Sequence, residues 1–187
     1  NHNKDFDLAV RTIKAMADAG ADAVKVQTYK PESLVMNIDN THFGTIQTGL
    51  WKGVTRYQLY KEACMPYEWH KPLKKVADDC GLVFFSTPFD LEGVDVLEDV
   101  DIPIYKIASF EINDIPLIKK VASCHKPIIM STGVADYNDI QIAINACHEM
   151  GNDDINLLKC TSEYPATYEQ ANLLTIPDMI KTFDCKV

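Results

Sequence analysis

The sequence predicts an α/β fold, a partial (β/α)8 barrel that lacks its first strand and most of its seventh and eighth. Three observations carry this. Five short apolar, β-branched segments alternate strictly with helical patterns, the mark of βαβ units and a parallel sheet covered on both faces. Each segment ends in a polar or charged cluster, and three of these contain a lysine: Lys25, Lys106 and Lys159. None of the βα turns carries GxGxxG or GxxxxGK[ST], which a doubly wound nucleotide-binding sheet would usually show after its first strand.

Taken in order, Phe6, Ala9, Val10, Ile13 and Ala17 recur at helical spacing over residues 5–19, and Gly20 stops the run. A strand over 23–28 follows. Residues 29–66 read as one long loop rich in turn residues and aromatics, and loops of that length in compact domains usually serve function. A helix over 67–79 ends at Gly81. A strand over 82–88 leads to a helix near 90–99, a strand over 103–109 to a helix near 114–122, and a strand over 127–132 to a helix near 137–149. A strand over 155–161 leads to a helix near 168–182 interrupted by Pro177. Barrels of this type need about 250 residues, and this chain has 187. It reads as a single incomplete catalytic domain, opening on Asn1-His2-Asn3 and stopping at Lys186-Val187, where another strand is starting.

Composition narrows the function. Net charge is −9, which disfavours nucleic acid as a partner because phosphate backbones call for a basic surface. No apolar run is long enough to cross a membrane as a helix. The cysteines at 64, 80, 124, 147, 160 and 185 form no CxxC pair and no cysteine–histidine metal spacing, so reduced thiols in a cytoplasmic protein are expected.

A lysine within a buried strand is costly unless it meets an anion. Alternation along 23–28 places Lys25 and Gln27 on the face opposite Val24 and Val26, and Lys106 lies opposite Tyr105 and Ile107. The plain alternative is a solvated lysine at a strand end, and for Lys159 the two readings balance. Ser86-Thr87-Pro88 and Ser131-Thr132-Gly133 offer hydroxyls and backbone amides suited to phosphate or carboxylate oxygens, although such residues more often cap helices. Glu111, just past a strand end, could move a proton or orient a water, or merely sit at a helix start. His2 is either a cap or a site residue. His70 reads as packing, and His42, His125 and His148 show no metal spacing.

The motifs Asn1-His2-Asn3, Val24–Thr28, Phe85–Phe89, Tyr105–Glu111, Ile129–Gly133 and Leu158–Pro165, in this order, resemble the sialic acid synthase family across essentially the whole chain. Gly49–Gly53, Leu59–Ala63, Glu68–His70 and Lys159–Ser162 lean toward the branch that makes pseudaminic acid; the N-acetylneuraminate branch differs in the long loop and carries Asn where Ser162 stands. The resemblance implies condensation of phosphoenolpyruvate with an open-chain N-acetylated amino sugar, aided by a divalent metal, Mn2+ or Mg2+. By motif it implies that Lys25, Thr87, Lys106, Ser109, Ser131 and Ser162 bind phosphoenolpyruvate. Gln27, Glu111 and Tyr164 would lie near the sugar and the reacting carbons, with Glu111 and Lys106 as the catalytic pair. The family's upstream glutamate, its two metal-binding histidines and its C-terminal domain have no counterpart in residues 1–187, so no metal ligand is expected within them. A homodimeric parent is implied, and this segment alone is expected to be inactive. Outside this family, the weighed alternatives are a Schiff-base aldolase using Lys106 or Lys159, and a sugar- or phosphate-binding barrel without chemistry.

Overall fold

The structure, a computed structural model, describes residues 2–163 and 165–187. Five strands alternate with helices, as the sequence predicts. The chain divides into two compact units, Asn1–Asp101 and Ile102–Val187.

In the first unit, α1 (Phe6–Asp18) starts where the Asp5 carboxylate accepts the Leu8 N–H, and it buries Ala9 and Ile13. Strands β1 (Ala23–Thr28) and β2 (Val83–Pro88) pair in parallel, with Ala23 opposite Val83 and Thr28 opposite Pro88. Val24, Thr28, Phe84 and Ser86 are buried on one face, while Lys25 and Gln27 are exposed on the other. Helix α4 (His70–Asp79) buries His70, Leu73 and Ala77. Helix α5 (Leu91–Val100) is capped by Asp90, which accepts the Gly93 N–H, and it buries Val94, Leu97 and Val100.

In the second unit, β3 (Tyr105–Ile107), β4 (Ile128–Ser131) and β5 (Ile155–Leu158) pair in parallel, with Tyr105 opposite Ile128 and Ile128 opposite Ile155. Tyr105, Ile107, Ile128 and Met130 are wholly buried, and each such side chain contributes about 1.5–3 kcal/mol. Helix α6 (Ile115–Ala122) is capped by Asp114 with Pro116 in its first turn. Helix α7 (Tyr137–Glu149) opens with a reciprocal Asp136–Asp139 capping box. The buried amide of Asn152 donates to the carbonyls of Ala122 and Lys126, joining the turns that precede β4 and β5. Lys186 accepts the Leu157 N–H at 2.8 Å and bridges Asn156 in parallel, so the strand expected at the chain's end does begin there.

Three expectations change. Residues 29–66 are not one loop: they hold α2 (Pro31–Leu34) and α3 (Arg56–Ala63), with Thr45 and Thr55 bridged antiparallel between them. Neither helix has an apolar stripe for a periodicity reading to find; α3 buries no residue at all. The third and fifth strands end early, at Ile107 and Leu158; the backbone after Ile107 tightens into a 3-10 turn over Ser109–Glu111. The last helix, α8 (Thr175–Phe183), begins after Asn172 takes a left-handed conformation. Pro177 therefore falls in its first turn, where the missing N–H has no helical partner to lose.

Candidate active site

The C-terminal ends of the strands carry the expected polar residues, and the two units present them differently. In the second unit, β3 holds Lys106 almost completely buried, and its ammonium donates to Ser131 Oγ at 2.5 Å and to the Ile107 carbonyl at 2.8 Å. Ser131, at the end of β4, is itself buried. The Ser109 hydroxyl accepts the Gly133 N–H at 3.2 Å. A side chain on Gly133 would collide with the Ser162 hydroxyl, and would press on Cys160 and Ser109. Glycine there lets the Ser162 and Ser109 hydroxyls approach the backbone closely. Lys106, Ser109, Ser131 and Ser162 are thus gathered around two adjacent strand ends, a positive charge among hydroxyls that suits a small anion.

Glu111 ends the 3-10 turn that follows β3. Its Oε2 is buried and has no hydrogen-bond partner among the described residues. Burial pushes its carboxyl above the usual range; its own backbone N–H and Lys106 draw it down, and Asp114 pushes it up. A buried carboxyl with one oxygen unused and a raised pKa can hold a proton and pass it on.

In the first unit, Lys25 and Gln27 stand side by side along β1, and Gln27 pairs in register with Thr87. Partial burial lowers the pKa of Lys25. Among the described residues neither Lys25, Gln27 nor the Thr87 side chain makes a hydrogen bond. Lys25 and Gln27 line a cavity of about 340 Å³ with His2, Ile13, Met65 and Leu73. His2 packs edge-on against Trp69 and accepts the Lys4 N–H, so it caps the turn before α1 and also lines this cavity.

Several hydroxyls offered by the sequence are engaged elsewhere. Ser86 faces the helix side, bonded to Thr28 and to the Val26 carbonyl. Thr132 gives its hydroxyl to the Leu158 carbonyl. Lys159 lies past the end of β5 and donates to Thr161 Oγ1 at 2.9 Å. Tyr164 falls outside the described residues, as does Asn1 of the opening motif. Among the described residues no cluster of His, Cys, Asp or Glu could hold a metal ion. All six cysteines carry free thiols, and no helix of the described residues is long and apolar enough to cross a membrane.

Two features escaped sequence reasoning. One is a buried hydrogen-bonded chain through Thr28, His70 and Ser86. The other is the Tyr67 hydroxyl, buried and without a partner among the described residues. Neither follows a motif; only the helix-side parity of Thr28 and Ser86, polar residues on a face that should be apolar, hinted at the first.

The profile of the NeuB family matches residues 12–187. This chain belongs to that family. It is 44% identical to "Pseudaminic acid synthase" of Helicobacter pylori over its whole length, covering 54% of that protein. It is 41% identical to the protein of the same name from Campylobacter jejuni subsp. jejuni serotype O:2, again covering 54% of it. It is 36% identical to "N,N'-diacetyllegionaminic acid synthase" of the same Campylobacter strain, covering 56%. The chain therefore spans about half the length of the curated relatives it matches. The crystal structure of N-acetylneuraminic acid (sialic acid) synthetase from Leptospira borgpetersenii superposes with a TM-score of 0.85 at 29% identity, over 99% of this chain and 59% of that one. The α/β barrel-type fold predicted for this member of the NeuB family is borne out by that match.

Proposed function

We propose that the NeuB-family protein carrying this chain condenses phosphoenolpyruvate with an open-chain N-acetylated amino sugar and releases phosphate, forming a nonulosonic acid of the pseudaminic type. The observation that supports this most is Lys106: a buried ammonium bonded to Ser131, in a family whose relatives named above are nonulosonic acid synthases. Phosphoenolpyruvate carries a phosphate and a carboxylate. Lys106, Ser109, Ser131 and Ser162 offer charge and hydroxyls that suit it, and Lys25 and Thr87 are assigned to the same ligand by motif.

In this reading the enol carbon attacks the sugar aldehyde, and positive charge develops at C2 of phosphoenolpyruvate. Water adds to C2, and phosphate leaves with cleavage of its C–O bond. Glu111, with one oxygen unused and its pKa raised, accepts a proton from the attacking water or orients it. Gln27, exposed on β1 beside Lys25, has the amide donors and acceptor to hold sugar hydroxyl or acetamido groups, and Tyr164 is assigned to the same substrate by motif. A divalent metal, Mn2+ or Mg2+, belongs to the proposal, with its ligands outside the described residues. Residues 1–187 would then be part of one catalytic barrel domain of a cytoplasmic, homodimeric enzyme.

The test is phosphate release by the full-length protein, given phosphoenolpyruvate, a divalent metal and a single sugar. Release with a 6-deoxy-diacetamido hexose and little with N-acetylmannosamine is expected. The reverse preference would move the assignment to the N-acetylneuraminate branch. Covalent trapping of substrate on a lysine by borohydride would replace the whole mechanism with a Schiff base.

A further inference from the structure

His70 opens α4 and is completely buried. It lies on the helix side of the β1–β2 pair, with Thr28 and Ser86, and not on the face that carries Lys25 and Gln27. Its Nδ1 stands 3.0 Å from the Tyr67 carbonyl oxygen. That oxygen can only accept, so Nδ1 carries a proton. Burial lowers the pKa of the ring, which leaves it neutral with Nε2 bare. Thr28 Oγ1, 2.7 Å from Nε2, therefore donates to it. Ser86 Oγ is also 2.7 Å from Thr28 Oγ1. The single Thr28 proton is already committed, so Ser86 donates and Thr28 accepts. The Val26 carbonyl, 3.1 Å from Ser86 Oγ, shares the Ser86 proton. One directed chain runs from Ser86 through Thr28 and His70 to the Tyr67 carbonyl.

This chain is one residue removed from the proposed chemistry. Gln27 lies between Val26 and Thr28, both of which the chain touches. Thr87 follows Ser86 directly and pairs with Gln27 in register. Bonds from Ser86 to Thr28 and to Val26 therefore bracket Gln27 on the far face of the strand. Packing alone does not require such a network: replacing bonded polar partners by apolar groups of the same shape is often nearly neutral for stability. What directional bonds add, and apolar contacts do not, is a fixed orientation. We infer that His70 is a positioning residue which, through Thr28 and Ser86, holds Gln27 and Thr87 in the mutual arrangement the condensation needs. The inference rests on the function proposed above.

The test uses the full-length protein and three variants. Thr28→Val keeps the shape and removes the hydroxyl. His70→Leu removes the acceptor. His70→Gln keeps a side-chain oxygen near the place of Nε2. Thr28→Val and His70→Leu are expected to lower kcat about tenfold while KM for phosphoenolpyruvate changes less than about threefold, because misplacement of groups beside the reacting atoms costs rate. His70→Gln should recover most of that loss, and nitrogen NMR of the wild type should find His70 protonated at Nδ1. An unchanged kcat with a lowered melting temperature overturns the inference, and so does a His70→Gln variant as slow as His70→Leu. If the wild type releases no phosphate from phosphoenolpyruvate with any amino sugar, the proposed function is what fails. A crystal structure of Thr28→Val then decides this inference separately: displaced Gln27 and Thr87 side chains support it, and unmoved ones overturn it.

Discussion

The strand ends of the two units solve the same problem in opposite ways. In residues 102–187 the polar groups bond to one another: Lys106 to Ser131, and Gly133 to Ser109. In residues 1–101 the side chains of Lys25, Gln27 and Thr87, on one face of β1 and β2, stay unbonded among the described residues, and the bonded network lies on the opposite side of those strands. A cation already held among hydroxyls needs little reorganisation when an anion arrives. A cation without a partner gains more from the anion and holds it less rigidly. The difference teaches that the polar strand ends of residues 102–187 are preorganised by their own bonds, whereas those of residues 1–101 are left with bonding capacity to spare.

The largest effect expected from breaking this contrast is Lys106→Ala in the full-length protein. A charge-assisted hydrogen bond is worth about 1.5–3 kcal/mol, so calorimetric titration should show affinity for phosphoenolpyruvate falling by about 10- to 150-fold. Unchanged affinity would remove Lys106 from the site. Gly133→Ala comes next. The added methyl would collide with the Ser162 hydroxyl and press on Ser109, and overpacking of this kind costs about 1–3 kcal/mol. Phosphoenolpyruvate binding should weaken by about tenfold or less along with several degrees of melting temperature; a variant that binds normally would mean that Ser109 and Ser162 do not hold the anion.

Lys25→Met sharpens the comparison, because it should separate binding from stability. Burial lowers the Lys25 pKa, so the unfolded chain holds this proton more tightly than the folded one. The penalty on folding is present below the folded pKa and disappears as pH rises through it. Removing the charge should therefore leave the melting temperature at pH 7 equal or slightly higher while weakening phosphoenolpyruvate. Lys106→Ala, which leaves Ser131 without its partner, should lower both.

The smallest expected effect concerns Glu111. Its carboxyl is raised when folded, so the folded state keeps its proton above the ordinary range near 4.5. Stability is then lost as pH rises from there through the folded pKa. Glu111→Gln mimics the protonated form, so its melting temperature should match the wild type below about pH 4 and exceed it at pH 7. A constant difference across that range would show that ionisation of Glu111 is not the cause.

Much of the fold was legible because parallel strands and amphipathic helices leave strong periodic traces: β1 and α7 lie where the sequence places them, at Ala23–Thr28 and Tyr137–Glu149. What escaped was structure without a stripe. Helix α3 buries nothing, so no period marks it. The shortened third strand runs into a 3-10 turn over Ser109–Glu111, which strand alternation does not mark. In the candidate site, alternation placed Lys25, Gln27 and Lys106, because parity within a strand is a local property. It could not tell which of the neighbouring hydroxyls were free. Ser86 and Thr132, tied to the strands' own backbone, look in sequence like Thr87, which makes no side-chain bond among the described residues, and Ser131, which accepts from Lys106; only the three-dimensional partners separate them.

The stretch between β1 and α4 ends on an unusual set of moorings. Lys30, just after β1, pairs with Glu92 at 2.5 Å and stands over the Tyr67 ring; Ser33 bonds to Asp90, and Tyr57 bonds to Glu32. Beyond these ties Leu50 and Trp51 project into solvent. Exposed in this way, the tip has little buried surface to lose, so side-chain exchanges at Leu50 and Trp51 should cost the fold little.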